Sequence, residues 1–190
     1  MMVTYQFVEG SDTTRYVAFY NFGDVGQNED DRIVSGYKYE GVVIPQIQYL
    51  SNNRSVALKD NGFTIYQGSQ IPKEVKTVET DKESVSTFYD DDMIGMVFKN
   101  DSKDKQYTME VYTTEGKLKF KQDFNIPYTT IRLSGGNILM YNSSQMCVMN
   151  SRGVQKYMGS VDGTIKDFFK IGWNRYMLVL DSGVDVIKLS

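Results

Sequence analysis

The chain has 190 residues, 41% hydrophobic and 13% aromatic, with 21 basic against 24 acidic side chains and a formal net charge of −3. That length and apolar share belong to one folded domain with a real core and exclude disorder as the main state. An acidic pI near 5.1 and the lack of any Lys/Arg run argue against nucleic acid and against anionic membrane surfaces. Histidine is absent, which excludes Ser-His-Asp and Cys-His catalysis and His-ligated zinc. Cys147 is the single cysteine, so an intrachain disulfide and a Cys-rich metal site are excluded as well.

Residues 1–7 alternate as a strand does and lack the basic start, apolar centre and cleavage site of a signal peptide. No stretch approaches the roughly 20 apolar residues of a membrane span. A chain that opens in mid-pattern is expected to be part of something longer. Residues 16–20 form the next strand, and residues 33–39 follow after a polar insertion at 23–31. From there one unit recurs. A strand end, a tight polar turn and an apolar strand appear at 49–58, 88–98, 133–141 and 171–180. A third strand follows at 63–66, 109–112, 146–149 and 184–187, and a more polar fourth at 74–80, 118–124 and 154–158. Equivalent positions lie 37 to 46 residues apart, the longer spacings coinciding with polar insertions such as 100–106.

The turn chemistry recurs with the strands. Asp60-Asn61-Gly62 and Asp181-Ser182-Gly183 join second to third strands, and Glu115-Gly116 and Arg152-Gly153 join third to fourth. These residue types supply the positive φ that tight hairpins need. Four antiparallel strands per unit of about 40 residues is the period of a β-propeller blade. One such sheet cannot bury both faces alone, so blades stack. A β-sandwich would also alternate, but it gives no reason for turns at matching offsets. The prediction is therefore all-β, with one propeller domain over residues 1–190 and blades near 1–40 (partial), 45–80, 84–126, 129–160 and 164–190 (partial). The array is either a small ring or the C-terminal part of a larger propeller. An open arc would expose sheet edges and favour a homodimer.

Three stretches carry a family resemblance: Phe22-Gly23-Asp24-Val25-Gly26-Gln27-Asn28-Glu29, Asp60-Asn61-Gly62-Phe63-Thr64-Ile65-Tyr66 and Val184-Asp185-Val186-Ile187-Lys188-Leu189. From about Tyr20 onward the chain resembles a family of Gram-positive, mainly clostridial, envelope proteins known only as a domain of unknown function. The resemblance implies an extracytoplasmic propeller held by one membrane anchor that this chain lacks. It implies no catalytic residues.

In a propeller the first-to-second and third-to-fourth turns share one face. That groups Asp90, Asp91 and Asp92 with Asp24, Glu29, Asp30, Asp31 and Trp173. Hard oxygen ligands suit Ca²⁺, with Asp24, Asn28, Asp30, Asp90 and Asp92 as candidates. The residue twelfth from Asp24 is Ser35, not the bidentate Glu of an EF-type loop, so solvated acidic turns are the favoured reading and no metal or other cofactor is expected. Paired carboxylates for glycosidase chemistry would have to converge at inner-strand positions, whereas here they crowd in turns, and no enzyme activity is expected. The Met-rich segment 140–149 with Cys147 reads as core. Tyr37, Tyr39, Phe168, Phe169 and Trp173 either line a carbohydrate or peptide platform or pack between blades. Trp173, Asp91, Asp101 and Lys103 are the interaction candidates, on turns and on the 100–106 insertion. The function read from the sequence is a non-catalytic module that meets a protein or glycan partner at the cell envelope. A carbohydrate-active enzyme or sugar-binding module and a self-associating ectodomain are the alternatives.

Overall fold

The computed structural model describes residues 1–10, 12–23, 32–102 and 104–189. Among them, eighteen strands form five antiparallel meanders. The first holds β1 (Met2–Glu9), β2 (Asp12–Tyr20) and β3 (Ile33–Glu40). The second holds β4 (Gln46–Leu50), β5 (Arg54–Lys59), β6 (Gly62–Gln67) and β7 (Lys73–Glu79). The third holds β8 (Ser84–Tyr89), β9 (Met93–Lys99), β10 (Tyr107–Thr113) and β11 (Leu118–Phe124). The fourth holds β12 (Thr130–Ser134), β13 (Asn137–Tyr141), β14 (Gln145–Asn150) and β15 (Gln155–Ser160). The fifth holds β16 (Ile165–Gly172), β17 (Arg175–Leu180) and β18 (Gly183–Lys188). Two compact units result, one of Met1–Val85 with Thr113–Lys117 and one of Ser86–Tyr112 with Leu118–Ser190.

Burial explains why the strands differ in composition. β6, β9 and β14 are buried almost throughout and read as continuous apolar runs, because both of their faces are covered. The outer strands β7, β11 and β15 are largely exposed and carry Lys, Glu and Gln.

In the first unit, β1 pairs with β2 so that Met2 faces Phe19 and Thr4 faces Val17. Met2, Val17 and Phe19 pack with Ile44, Ala57 and Tyr66. The other face of that sheet carries Tyr5, Phe7 and Tyr16, with Tyr5 stacked on Tyr16 at 5.1 Å. The second unit holds two further clusters of buried residues. Phe88, Met93, Val97, Met109, Val111, Met140 and Cys147 belong to one. Leu139, Val148, Ile165, Phe168, Tyr176 and Leu178 belong to the other. Met140, Met146, Cys147 and Met149 are all buried, and burial pushes the Cys147 thiol up to about 12. A neutral thiol enclosed in this way is packing material, not a redox centre.

Turn side chains hold the hairpins. Asp90 Oδ1 accepts hydrogen bonds from the amides of Asp92 (2.9 Å) and Met93 (2.8 Å). Asn142 Oδ1 does the same for Ser144 (2.9 Å) and Gln145 (2.8 Å). In both turns a short polar side chain replaces the backbone partner that the reversal removes.

Candidate interaction site

The structure separates the residues singled out in the sequence. Asp24, Asn28, Asp30 and Lys103 lie outside the described residues. Asp90, Asp91 and Asp92 lie between β8 and β9, where Asp90 is committed to two backbone amides. Among the described residues no group of three or more His, Cys, Asp or Glu side chains is placed to hold a metal ion. Asp101 is exposed at the start of the 100–106 insertion. That insertion is closed by a bond from the Asn100 amide to the Gln106 carbonyl (2.7 Å) and from Asn100 Nδ2 to Thr108 Oγ1 (2.8 Å).

The aromatic candidates part company. Phe168 is 1% exposed and forms core, so it cannot serve a platform. Tyr37 and Tyr39 turn inward between the first and second sheets. Tyr37 Oη donates to the Pro72 carbonyl (3.0 Å) and accepts from the Glu74 amide (3.1 Å). Tyr39 Oη and Tyr66 Oη share a hydrogen bond of 2.5 Å. Burial raises the Tyr66 phenol far above its ordinary pKa, and the bond to Tyr39 adds to the rise. Glu74 ties in through Thr77, whose hydroxyl donates to Oε1 at 2.9 Å.

Beside this network lies Lys59, which nothing in its local sequence singles out. It is 3% exposed. Its ammonium sits 5.5 Å from the centre of the Tyr39 ring and has no ion pair among the described residues. Burial holds its pKa below the ordinary lysine value, against the opposing pull of Glu79, Glu74 and Asp60. Only an end-of-strand position on an alternating pattern marks it in sequence. Nothing local says that the neighbouring sheet will cover it.

A second polar cluster joins β12 and β16 in the second unit. The Arg132 guanidinium bonds Asp167 Oδ1 at 2.5 Å and the Phe168 carbonyl. It lies 5.8 Å from the Tyr141 ring centre and 5.7 Å from that of Phe169. Tyr141 Oη donates to the same Asp167 oxygen at 3.0 Å. Arginine suits this place because its planar fork can bond a carboxylate and a carbonyl while stacking on rings. Asp167 is thereby a structural anion, and Phe169 is half covered.

Trp173 has the opposite fate. It stands in the two-residue turn between β16 and β17, next to Asn174, whose φ of 49° closes the hairpin. It is 88% exposed and makes no ring or cation contact among the described residues. Its flank holds Ile171, 41% exposed, and the exposed Arg175 and Lys188, which face each other across β17 and β18. A large apolar ring left in water at a rigid tip is the strongest mark of an interaction surface on the described chain.

Among solved structures, the chain is similar to BBS1N in complex with ARL6DN, with a TM-score of 0.55 and 10% identity over 94% of this chain and 62% of that one. It is similar to BamB from Moraxella catarrhalis, with a TM-score of 0.50 and 9% identity over 95% of this chain and 55% of that one. It is also similar to Saccharomyces cerevisiae Sqt1, with a TM-score of 0.55 and 8% identity over 99% of this chain and 58% of that one. At these identities the likeness is one of fold, and it establishes a β-propeller-like array of antiparallel sheets. The chain spans between 55% and 62% of the length of these three structures. No curated protein matches it. The family model DUF5711, described as a family of unknown function, matches residues 1–189, and the chain belongs to that family.

Proposed function

We propose that this chain is a non-catalytic propeller domain that presents a hairpin tip to a protein or glycan partner at the cell envelope. The exposed Trp173 carries this reading. Support comes also from three carboxylates that serve the fold. Asp167 is held by Arg132, Asp123 by Thr108 and Lys105, and Glu110 by Lys121 and Tyr112. One of the similar structures is itself a complex, of BBS1N with ARL6DN, so a partner-binding role has a precedent on this fold. Envelope placement rests on the family resemblance of residues 22–29 and 184–189. Incubation with muropeptides and cell-wall glycans tests the chemistry. Unchanged glycan by mass spectrometry is expected, whereas release of shorter products would make the domain a carbohydrate-active enzyme. Protease accessibility on intact cells tests the placement, and full protection of the domain would overturn it.

A second reading, self-association, is favoured by β1. This strand ends its sheet, spans eight residues without Lys or Pro, and exposes Tyr5, Phe7 and Val8 by 37%, 59% and 65%. A long apolar edge invites pairing with another strand. Light scattering at ~10 μM, where a stable interface shows, is expected to give twice 21.8 kDa if this edge pairs, and Phe7→Lys should return the monomer mass. A monomer at ~10 μM for the unaltered chain would remove this reading.

A further inference from the structure

We propose that the β16–β17 hairpin tip binds an anionic polysaccharide, with Trp173 as the stacking surface and Arg175 and Lys188 as the counter-charge. This rests on the interaction reading above and names its ligand class. Arg175 and Lys188 are direct cross-strand partners in the β17–β18 register. Opposed residues of an antiparallel pair hold their Cβ atoms about 5 Å apart, and like charges there disfavour each other. Neither side chain has an ion pair or hydrogen bond among the described residues. No Asp or Glu occurs in residues 170–176 or 186–189. Two exposed cations thus share one spot with no ion pair to offset them among the described residues. An arriving carboxylate or phosphate meets both at once, and the arginine fork can bond it through two donors.

The indole narrows the ligand further. Its faces are free of ring contacts among the described residues, and beside it Gly172 has no heavy atom within 4 Å of where a Cβ would lie. No wall rises around the ring. A sugar ring needs one flat apolar surface for its C–H face and can leave its hydroxyls in water. An aspartate or glutamate side chain offers the charge without the flat face, so an acidic peptide fits only half the site. The overall charge of −3 and the lack of a basic run disfavour nucleic acid, whose binding is dominated by extended phosphate contacts.

Trp173 is the single tryptophan of the chain, so fluorescence excited at the red edge of the absorption band, where the tyrosines do not absorb, reports on this site. Polygalacturonate, a carboxylated sugar polymer, is the test ligand, with dextran as the neutral sugar and poly-L-glutamate as the carboxylate without a ring. Polygalacturonate is expected to quench and shift the emission saturably. The response should weaken at least tenfold in 0.5 M salt, screened to a Debye length of a few ångströms, and at least tenfold in Arg175→Gln/Lys188→Gln, whose far-UV spectrum should be unchanged. Sedimentation with Trp173→Ala, which removes the reporter, should show the same loss of binding. No response to polygalacturonate, or an equal one to dextran, overturns the proposal. If poly-L-glutamate binds as well or better through the same two cations, the glycan assignment falls while the interaction tip stands. Should none of the three polymers bind and cell-wall glycans be hydrolysed, both readings fall together.

Discussion

Gly62→Ala is expected to lower stability by about 2–4 kcal/mol in urea denaturation, well above the usual cost of a surface substitution. Gly62 ends the Asp60-Asn61-Gly62 turn with φ at 141°, where side chains are strained. A Cβ there would also lie 2.0 Å from the Val78 carbonyl oxygen. That oxygen belongs to β7, whose Glu79 pairs with Gly62 itself, so relief requires moving one strand away from the other. Gly41→Ala separates the two causes. Gly41 has φ at 67° but open space around the would-be Cβ, and its substitution should cost only about 1 kcal/mol. Equal losses at the two sites would show that the approach of β7 contributes nothing.

Lys59→Met is expected to raise stability by about 1–2 kcal/mol at neutral pH, since it removes a buried, unpaired charge while keeping the apolar stem. Lys59→Glu should lose stability, because it adds a carboxylate beside Glu79, Glu74 and Asp60, all of which act on this site. The pH dependence gives a sharper signature. The folded amine releases its proton below the ordinary lysine pKa, whereas the unfolded chain holds that proton to a pH of about 10.4. Between those two values this amine makes the unfolded state bind more protons, so its own contribution to stability rises with pH. The enclosed Cys147 thiol acts in the opposite sense from a pH of about 8.5, and the tyrosines from about 10. Tyr39 and Tyr66 keep their protons in the fold after the unfolded chain has lost them, and stability then falls. Lys59→Met should remove the amine's opposing contribution and make stability fall more steeply with pH. An unchanged pH dependence in the variant would overturn the assignment to Lys59.

Much of the architecture is legible in the residues. Apolar runs such as Met93-Ile94-Gly95-Met96-Val97-Phe98 next to polar runs such as Leu118-Lys119-Phe120-Lys121-Gln122 mark inner and outer strands, and Asn or Asp at Asp60, Asp90 and Asn142 marks the reversals. The Asp90-Asp91-Asp92 turn shows the limit of such reading. Three successive carboxylates invite a cation on paper, yet Asp90 spends its oxygen on the turn that the next strand requires. Phe168 and Phe169 are adjacent and alike in sequence, but alternation sends the first into core and the second beneath Arg132. Trp173 was visible because a two-residue turn leaves a large ring no neighbour to cover it. Lys59 and the Tyr39–Tyr66 pair were not, because their partners lie on strands tens of residues away.

What the sequence determined by itself is what depends on neighbours along the chain: strand, turn, repeat period and the absence of histidine and disulfide chemistry. These follow from φ preferences and alternation, which act over a few residues. The tertiary structure decided which polar groups are enclosed and which are left without a partner. Packing one sheet on the next strips water from Lys59 and Tyr66 and, across β17 and β18, register sets Arg175 opposite Lys188. Charge and solvation are properties of the space around a side chain, and that space is made by residues distant in sequence.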